Sequence, residues 1–175
     1  IRYERKTAKV PKALVWHVAR IDLATSGLSL NVSGGDSGKL LPFDAKTPSA
    51  VAAEQHADLV LSGDFFDPKG TMSPFKEPVF PGDAVRPRGL SVSRGAIVVR
   101  GKEPSPSTLY LSEQNQASIG APVGSVFNAI SGDCAFLREG KALSPFAECA
   151  EPNEAHARVA VGLDRGSRTL ILVVA

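Results

Sequence analysis

The sequence predicts an α+β fold dominated by sheet, a single domain with few helices. Three observations predict it. The chain has 175 residues, the size of one domain. Short alternating or apolar runs recur between turn residues, as strands do. Only one stretch combines helix-forming residues with a cap. A domain of this length buries about 70% of its unfolded surface, enough for a core. Hydrophobic residues make up 43% of the chain and mean hydropathy is near zero, which fits a globular protein and excludes a disordered one. No apolar run approaches the roughly 20 residues of a spanning helix, so no membrane span is expected. The net charge of +2 is too small to imply nucleic acid, and no block of basic residues interleaves with aromatics. A small phosphate-bearing ligand stays open, because it needs only one or two local cations.

Val15 to Leu23 alternates: Val15, His17, Ala19, Ile21 and Leu23 share one strand face, and Trp16, Val18, Arg20 and Asp22 the other. Thr25-Ser26-Gly27 reads as a turn and Leu28 to Val32 alternates again, so the spacing predicts a hairpin. The glycine-rich loop from Ser33 to Gly38 lacks the lysine and following helix of a phosphate-binding loop. The helix is expected from Pro48 to His56, with Thr47 as N-cap and Pro48 in the first turn. A strand over Asp58 to Leu61 follows it. From Lys69 to Arg88 the chain carries Pro74, Pro78, Pro81 and Pro87 without periodicity, which reads as a lid or rim beside a site. Gly89 to Arg94 and Ala96 to Arg100 are expected as short strands about Gly95. Leu109 to Leu111, Val126 to Ile130, Ala135 to Arg138 and Val159 to Leu163 complete the set.

The chain begins at Ile1 without methionine or signal peptide, so an upstream segment is expected to have been removed. It stops on the apolar, strand-like run Thr169 to Ala175. This predicts a domain incomplete at its C-terminus, which continues beyond Ala175. An apolar edge there would need a partner, and the chain's own C-terminal fragment, as a separate chain, would supply one. Cys134 and Cys149 lie 15 positions apart around an exposed-looking hairpin tip, Arg138-Glu139-Gly140-Lys141. In an oxidising compartment they could close a loop worth about 3 kcal/mol. Two reduced, buried thiols are the alternative. With no cysteine or histidine cluster nearby, zinc is not expected. Asn31-Val32-Ser33 is a formal glycosylation sequon.

Chemistry concentrates at Ser62-Gly63-Asp64-Phe65-Phe66. Gly63 permits a sharp turn and the aromatics can anchor it in the core, so Asp64 reads as a base, a nucleophile or a metal ligand. A turn aspartate bonding its own backbone is the alternative, and the better reading of Asp67 before Pro68. The triplet recurs at Ser131-Gly132-Asp133, again after an apolar strand. Either the two triplets face one pocket, with Ser62, Gly63, Gly132 and Asp133 binding substrate around Asp64, or turn residues recur by chance. Arg158 precedes Val159-Ala160-Val161 and suits bidentate recognition of phosphate; an edge-strand arginine with its head in water is the alternative. His17 reads as packed on a sheet face and His156 as a loop residue. Ser62 has no nucleophile elbow around it, so a serine hydrolase is not supported.

These segments, in order, resemble the phosphodiester glycosidase domain family, which includes N-acetylglucosamine-1-phosphodiester α-N-acetylglucosaminidase. Val15 to Leu23 resembles the family's opening strand and Leu61 to Phe66 its acidic turn. Gly89 to Gly95, Ile130 to Gly140 and Arg158 to Leu172 resemble its later strands, so the similarity spans nearly the whole chain. Ser62 stands where the family usually has asparagine, Ala157 where it often has proline, and Val159 where it has threonine. The family's Asp-Gly-Arg segment and later glycine-rich turn lie beyond the last resembling strand and do not occur here.

The resemblance implies hydrolysis of the bond between an anomeric carbon and a phosphodiester, releasing free sugar and a phosphomonoester. It assigns Asp64 to stabilise the oxocarbenium-like sugar or activate water, and Arg158 to hold charge growing on the departing phosphate. The expected partner is a carbohydrate or sugar-phosphate in a secreted, periplasmic or cell-surface setting. No cofactor is expected, and a divalent metal stays open. The rival expectation is a non-catalytic carbohydrate-binding or cell-surface polysaccharide assembly domain, favoured by the Ser62 departure and the missing C-terminal motif, whereas the retained Asp64 and Arg158 favour the enzyme.

Overall fold

The computed structural model describes residues 1–10, 13–68, 78–101, 105–143, 149 and 156–175. Its fold is sheet-dominated α+β, as the strand count predicts. A four-stranded antiparallel sheet runs in the order Arg2–Ala8, Leu14–Asp22, Thr169–Val174, Val159–Leu163. A second, five-stranded sheet runs Ala96–Val99, Ser91–Ser93, Asn128–Ser131, Thr108–Leu111, Ala117–Ile119. Phe43–Asp44, Ala84–Pro87 and Phe66–Pro68 form a three-stranded sheet, and Leu137–Arg138 pairs with Lys141–Ala142 in a small hairpin.

The two large sheets share one core. Ile21 lies opposite Leu170, and Leu170 opposite Leu163, so period-two alternation turns all three to one face. There Ile21, Leu23 and Leu170 meet Leu109, Leu111 and Ala117 of the second sheet. The other face of the second sheet buries Leu90, Val92, Tyr110 and Ala129. Each such aliphatic side chain contributes about 1.5–3 kcal/mol by leaving water.

The helix spans Pro48–Gln55 as its caps predict. Thr47 Oγ1 accepts the Ala50 N–H at 3.2 Å, and His56 ends the helix in the left-handed region at φ 49°. None of its residues is buried. Two tight hairpins also match expectation. Arg94 and Gly95 (φ 50° and 80°), and Glu139 and Gly140 (φ 50° and 75°), supply the consecutive left-handed residues that two-residue turns need. Cys134 and Cys149 form a disulfide with Cα atoms 5.0 Å apart.

Four expectations are corrected. Leu14–Asp22 does not pair with Leu28 to Val32; its neighbours are Arg2–Ala8 and Thr169–Val174. Leu28 and Leu30 still reach the core, but side chains rather than a ladder satisfy their backbone. Asn115 Nδ2 donates to Leu28 O at 3.0 Å, Asn128 Nδ2 to Leu30 O at 2.8 Å, and Ser93 Oγ to Val32 O at 2.7 Å. Asp58 to Leu61 is not a strand; pairing begins at Phe66, and Leu59 is 42% exposed.

Within the segment expected to be a lid or rim, residues 69–77 lie outside the described residues. Ala84–Pro87, however, is the central strand of the third sheet, its proline confined to the strand's end. Thr169–Val174, finally, is no edge. It is paired on both sides, by Val159–Leu163 just before it in the chain and by Leu14–Asp22 from far back in the sequence.

Candidate functional site

The two Ser-Gly-Asp turns meet through a third segment, Arg88-Gly89-Leu90. Arg88 donates its N–H to Phe65 O at 2.9 Å, and Gly89 donates its own to Asp64 Oδ2. On its other side Leu90 is held twice by Ser131: its N–H donates to Ser131 Oγ at 2.9 Å, and its carbonyl accepts the Ser131 N–H at 3.1 Å. Ser131 Oγ also shares a hydrogen bond with Thr108 Oγ1 at 2.9 Å. Gly63 packs directly on the Ile130 side chain, where a Cβ would collide. Glycine at 63 thus serves close approach rather than an unusual φ.

Asp64 is half-buried and Asp133 exposed. Burial raises the Asp64 carboxyl above its ordinary pKa, against the N–H groups of Gly89 and Phe65 and the charge of Arg88, which lower it. The Asp133 charge raises it further and also acts on Arg88. Arg88 is gripped by Asp67, whose Oδ1 accepts from Nε at 2.9 Å and Nη2 at 2.7 Å, and the guanidinium lies over the Phe65 ring at 5.8 Å. That hydrogen bond, more than any other influence, favours the charged form of Arg88. Asp67 is therefore more than a turn aspartate: it orients a cation.

Phe65 and Phe66 do not anchor this turn in the core. They are 47% and 44% exposed, because the turn is fixed by backbone bonds to residues 88 and 89 instead. Ser62 and Gly132 are exposed as well. The Gly132 backbone exchanges bonds with Ser107: its N–H donates to Ser107 O at 3.0 Å, and its carbonyl accepts from Ser107 Oγ at 2.8 Å.

Arg158 lies in the first sheet. Its N–H donates to Ala175 O at 2.7 Å and its carbonyl accepts the Ala175 N–H at 2.9 Å, which extends the ladder by one pair. Alternation places it on the face of Ala160 and Gly162, opposite the face on which Val161 and Leu163 meet the core. The strongest charges on Asp64 come instead from Arg88 and Asp133. Arg88 and Gly89 are thus site residues that sequence reasoning missed. Arg88 sits in a proline-rich stretch without periodicity, and Gly89 acts through a backbone N–H that no residue type announces.

His17 accepts or donates at Nδ1 with the Tyr3 hydroxyl, 2.7 Å away, and stacks on that ring. His156 is exposed. Among the described residues no group of three or more His, Cys, Asp or Glu side chains could hold a metal, and no helix is long and apolar enough to cross a membrane. No family model matches the chain, and no curated protein matches it.

Proposed function

We propose that the chain carries the site of a phosphodiester glycosidase, which transfers water to the anomeric carbon of a sugar-1-phosphodiester. The observation that carries this reading is that two like turns are tied to one segment, Asp64 through the Gly89 N–H and Ser131 through the Leu90 N–H, with Asp64 half-buried and its carboxyl raised above its ordinary pKa chiefly by that burial. A carboxylate beside the ring stabilises the positive charge that grows on a sugar as its glycosidic bond breaks. A carboxylate of raised proton affinity is also the better base towards water. In the proposed step Asp64 takes a proton from water, the oxygen bonds to the anomeric carbon, and the carbon–oxygen bond to phosphate breaks. Free sugar and a phosphomonoester leave, and the proton passes from Asp64 to the phosphate or to solvent.

The departing phosphate is a stable anion, so a guanidinium helps more than an acid does. We give that role to Arg88, which Asp67 and Phe65 hold in place beside the carboxylates. Arg158, the guanidinium that the family resemblance supplies, is the rival for that role, and Arg88→Lys and Arg158→Lys compared side by side decide between them. The disulfide suits an oxidising compartment, and the reading places the protein outside the cytoplasm: secreted, periplasmic or on the cell surface. Released sugar from a sugar-1-phosphodiester, lost in Asp64→Asn, is the expected result; full hydrolysis by Asp64→Asn would overturn the assignment. A second reading, carbohydrate binding without hydrolysis, draws on the exposed rings of Phe65 and Phe66 beside Asp64, which are suited to stack on a sugar. Binding of the same compound without any sugar release would select it.

A further inference from the structure

We propose that Ser131 is a positioning residue, which presses the Gly89-Leu90 backbone into the one placement that aims the Gly89 N–H at Asp64. The inference rests on the reading of Asp64 as the working carboxylate. Ser131 is 5% exposed and Thr108 0% exposed, so their paired hydroxyls lie in the dry interior beneath the site. Ser131 Oγ accepts the Leu90 N–H, and Thr108 Oγ1 fixes that oxygen's orientation. The fit above it is tight: a Cβ on Gly89 would lie 2.6 Å from Ser131 Oγ and 2.8 Å from Asp64 Oδ2. Ser131 and Asp64 thus both close on the space beside Gly89, and Asp64 receives its N–H.

Removing the hydroxyl leaves Ser131 Cβ against Gly89 but takes away the acceptor of the Leu90 N–H, so the 89–90 backbone loses the bond that fixes it and shifts relative to Asp64. A carboxylate that loses an N–H donor becomes harder to ionise. The charged groups that face Asp64 are Arg88 and Asp133, with Asp67 behind Arg88. Ser131→Ala replaces none of them, so a change in Asp64 ionisation would not come from a lost charge.

The test is the carboxyl titration of Asp64, followed by carbon-detected NMR on the full chain without substrate. In Ser131→Ala the midpoint should move up by about one pH unit, and in Thr108→Ser, which keeps the hydroxyl, it should not move. Lowered thermal stability with an unmoved Asp64 midpoint would make Ser131 a packing residue only and overturn the proposal. If Ser131→Ala does not fold, Thr108→Val decides: an upward midpoint supports the proposal and an unchanged one overturns it. Failure of the hydrolysis reading shows separately, as absence of sugar release from wild-type protein whatever the titration does.

Discussion

Gly89 donates its backbone N–H to the Asp64 carboxylate across 25 positions of sequence, from the short link between Ala84–Pro87 of the third sheet and Ser91–Ser93 of the second. Its geometry leaves no room for a side chain. Gly89→Ala should destabilise the protein by about 1–3 kcal/mol, the ordinary cost of overpacking, because Ser131 and Asp64 both lie within reach of the new methyl. Gly162→Ala is the control: nothing lies within 4 Å of its Cβ position, so stability should stay within about 0.5 kcal/mol. Urea titration of both variants checks the contrast.

Two aspartates should pull stability in opposite directions with pH. Asp64 has a raised carboxyl pKa, chiefly through burial, so the folded state holds its proton more tightly than the unfolded state. Its contribution is therefore present below the unfolded pKa and is lost as pH rises through the folded one. Asp164 is the reverse. Its Oδ1 accepts the N–H groups of Arg168 at 2.8 Å and Thr169 at 3.0 Å, and the Thr169 bond leads in lowering its pKa. That contribution is present above the unfolded pKa and is lost as pH falls through the folded one. Melting curves between acid and neutral pH should show Asp64→Asn gaining on wild type as pH rises, and Asp164→Asn losing ground over the acid range. A constant offset for Asp64→Asn would contradict the burial of its carboxyl.

The cation at the site is decided by two substitutions. Arg88→Lys keeps a charge but loses the paired contact to Asp67, and should reduce hydrolysis of a sugar-1-phosphodiester by about 10- to 100-fold, the value of one charged hydrogen bond. Stability should move by less than about 1 kcal/mol, because the Arg88 side chain is 55% exposed. Arg158→Lys should leave the rate near wild type if Arg88 holds the phosphate. A larger rate loss from Arg158→Lys would return the role to Arg158.

Asn128 is the most heavily used polar side chain of the interior. At 1% exposure it donates to Leu30 O and accepts from Arg94 N at 3.1 Å and Val32 N at 3.5 Å. Asn128→Leu takes the side-chain partner from three part-buried backbone groups at once and should cost about 3 kcal/mol. Asn115→Ala, at a partly buried position with one bond to Leu28 O, should cost about 1 kcal/mol. Equal losses would mean that the 28–32 segment is not held by Asn128.

Sequence alone determined the local features. Thr47 and Pro48 start a helix, Arg94-Gly95 and Glu139-Gly140 turn hairpins, and the alternation around Ile21 marks a strand, because each signal is complete within a few residues. The α+β class follows from the same kind of reading, while the structure chooses the Cys134–Cys149 disulfide over the two reduced thiols that the sequence left open. What only the tertiary structure decided is who pairs with whom. Leu14–Asp22 finds Arg2–Ala8 and Thr169–Val174 rather than its neighbour Leu28 to Val32, and Asp64 finds Gly89, Arg88 and Asp133. Alternation says which way a side chain points but not which strand lies beside it. A backbone N–H carries no residue identity, so neither partner of the Asp64–Gly89 bond could announce the other before the chain was folded.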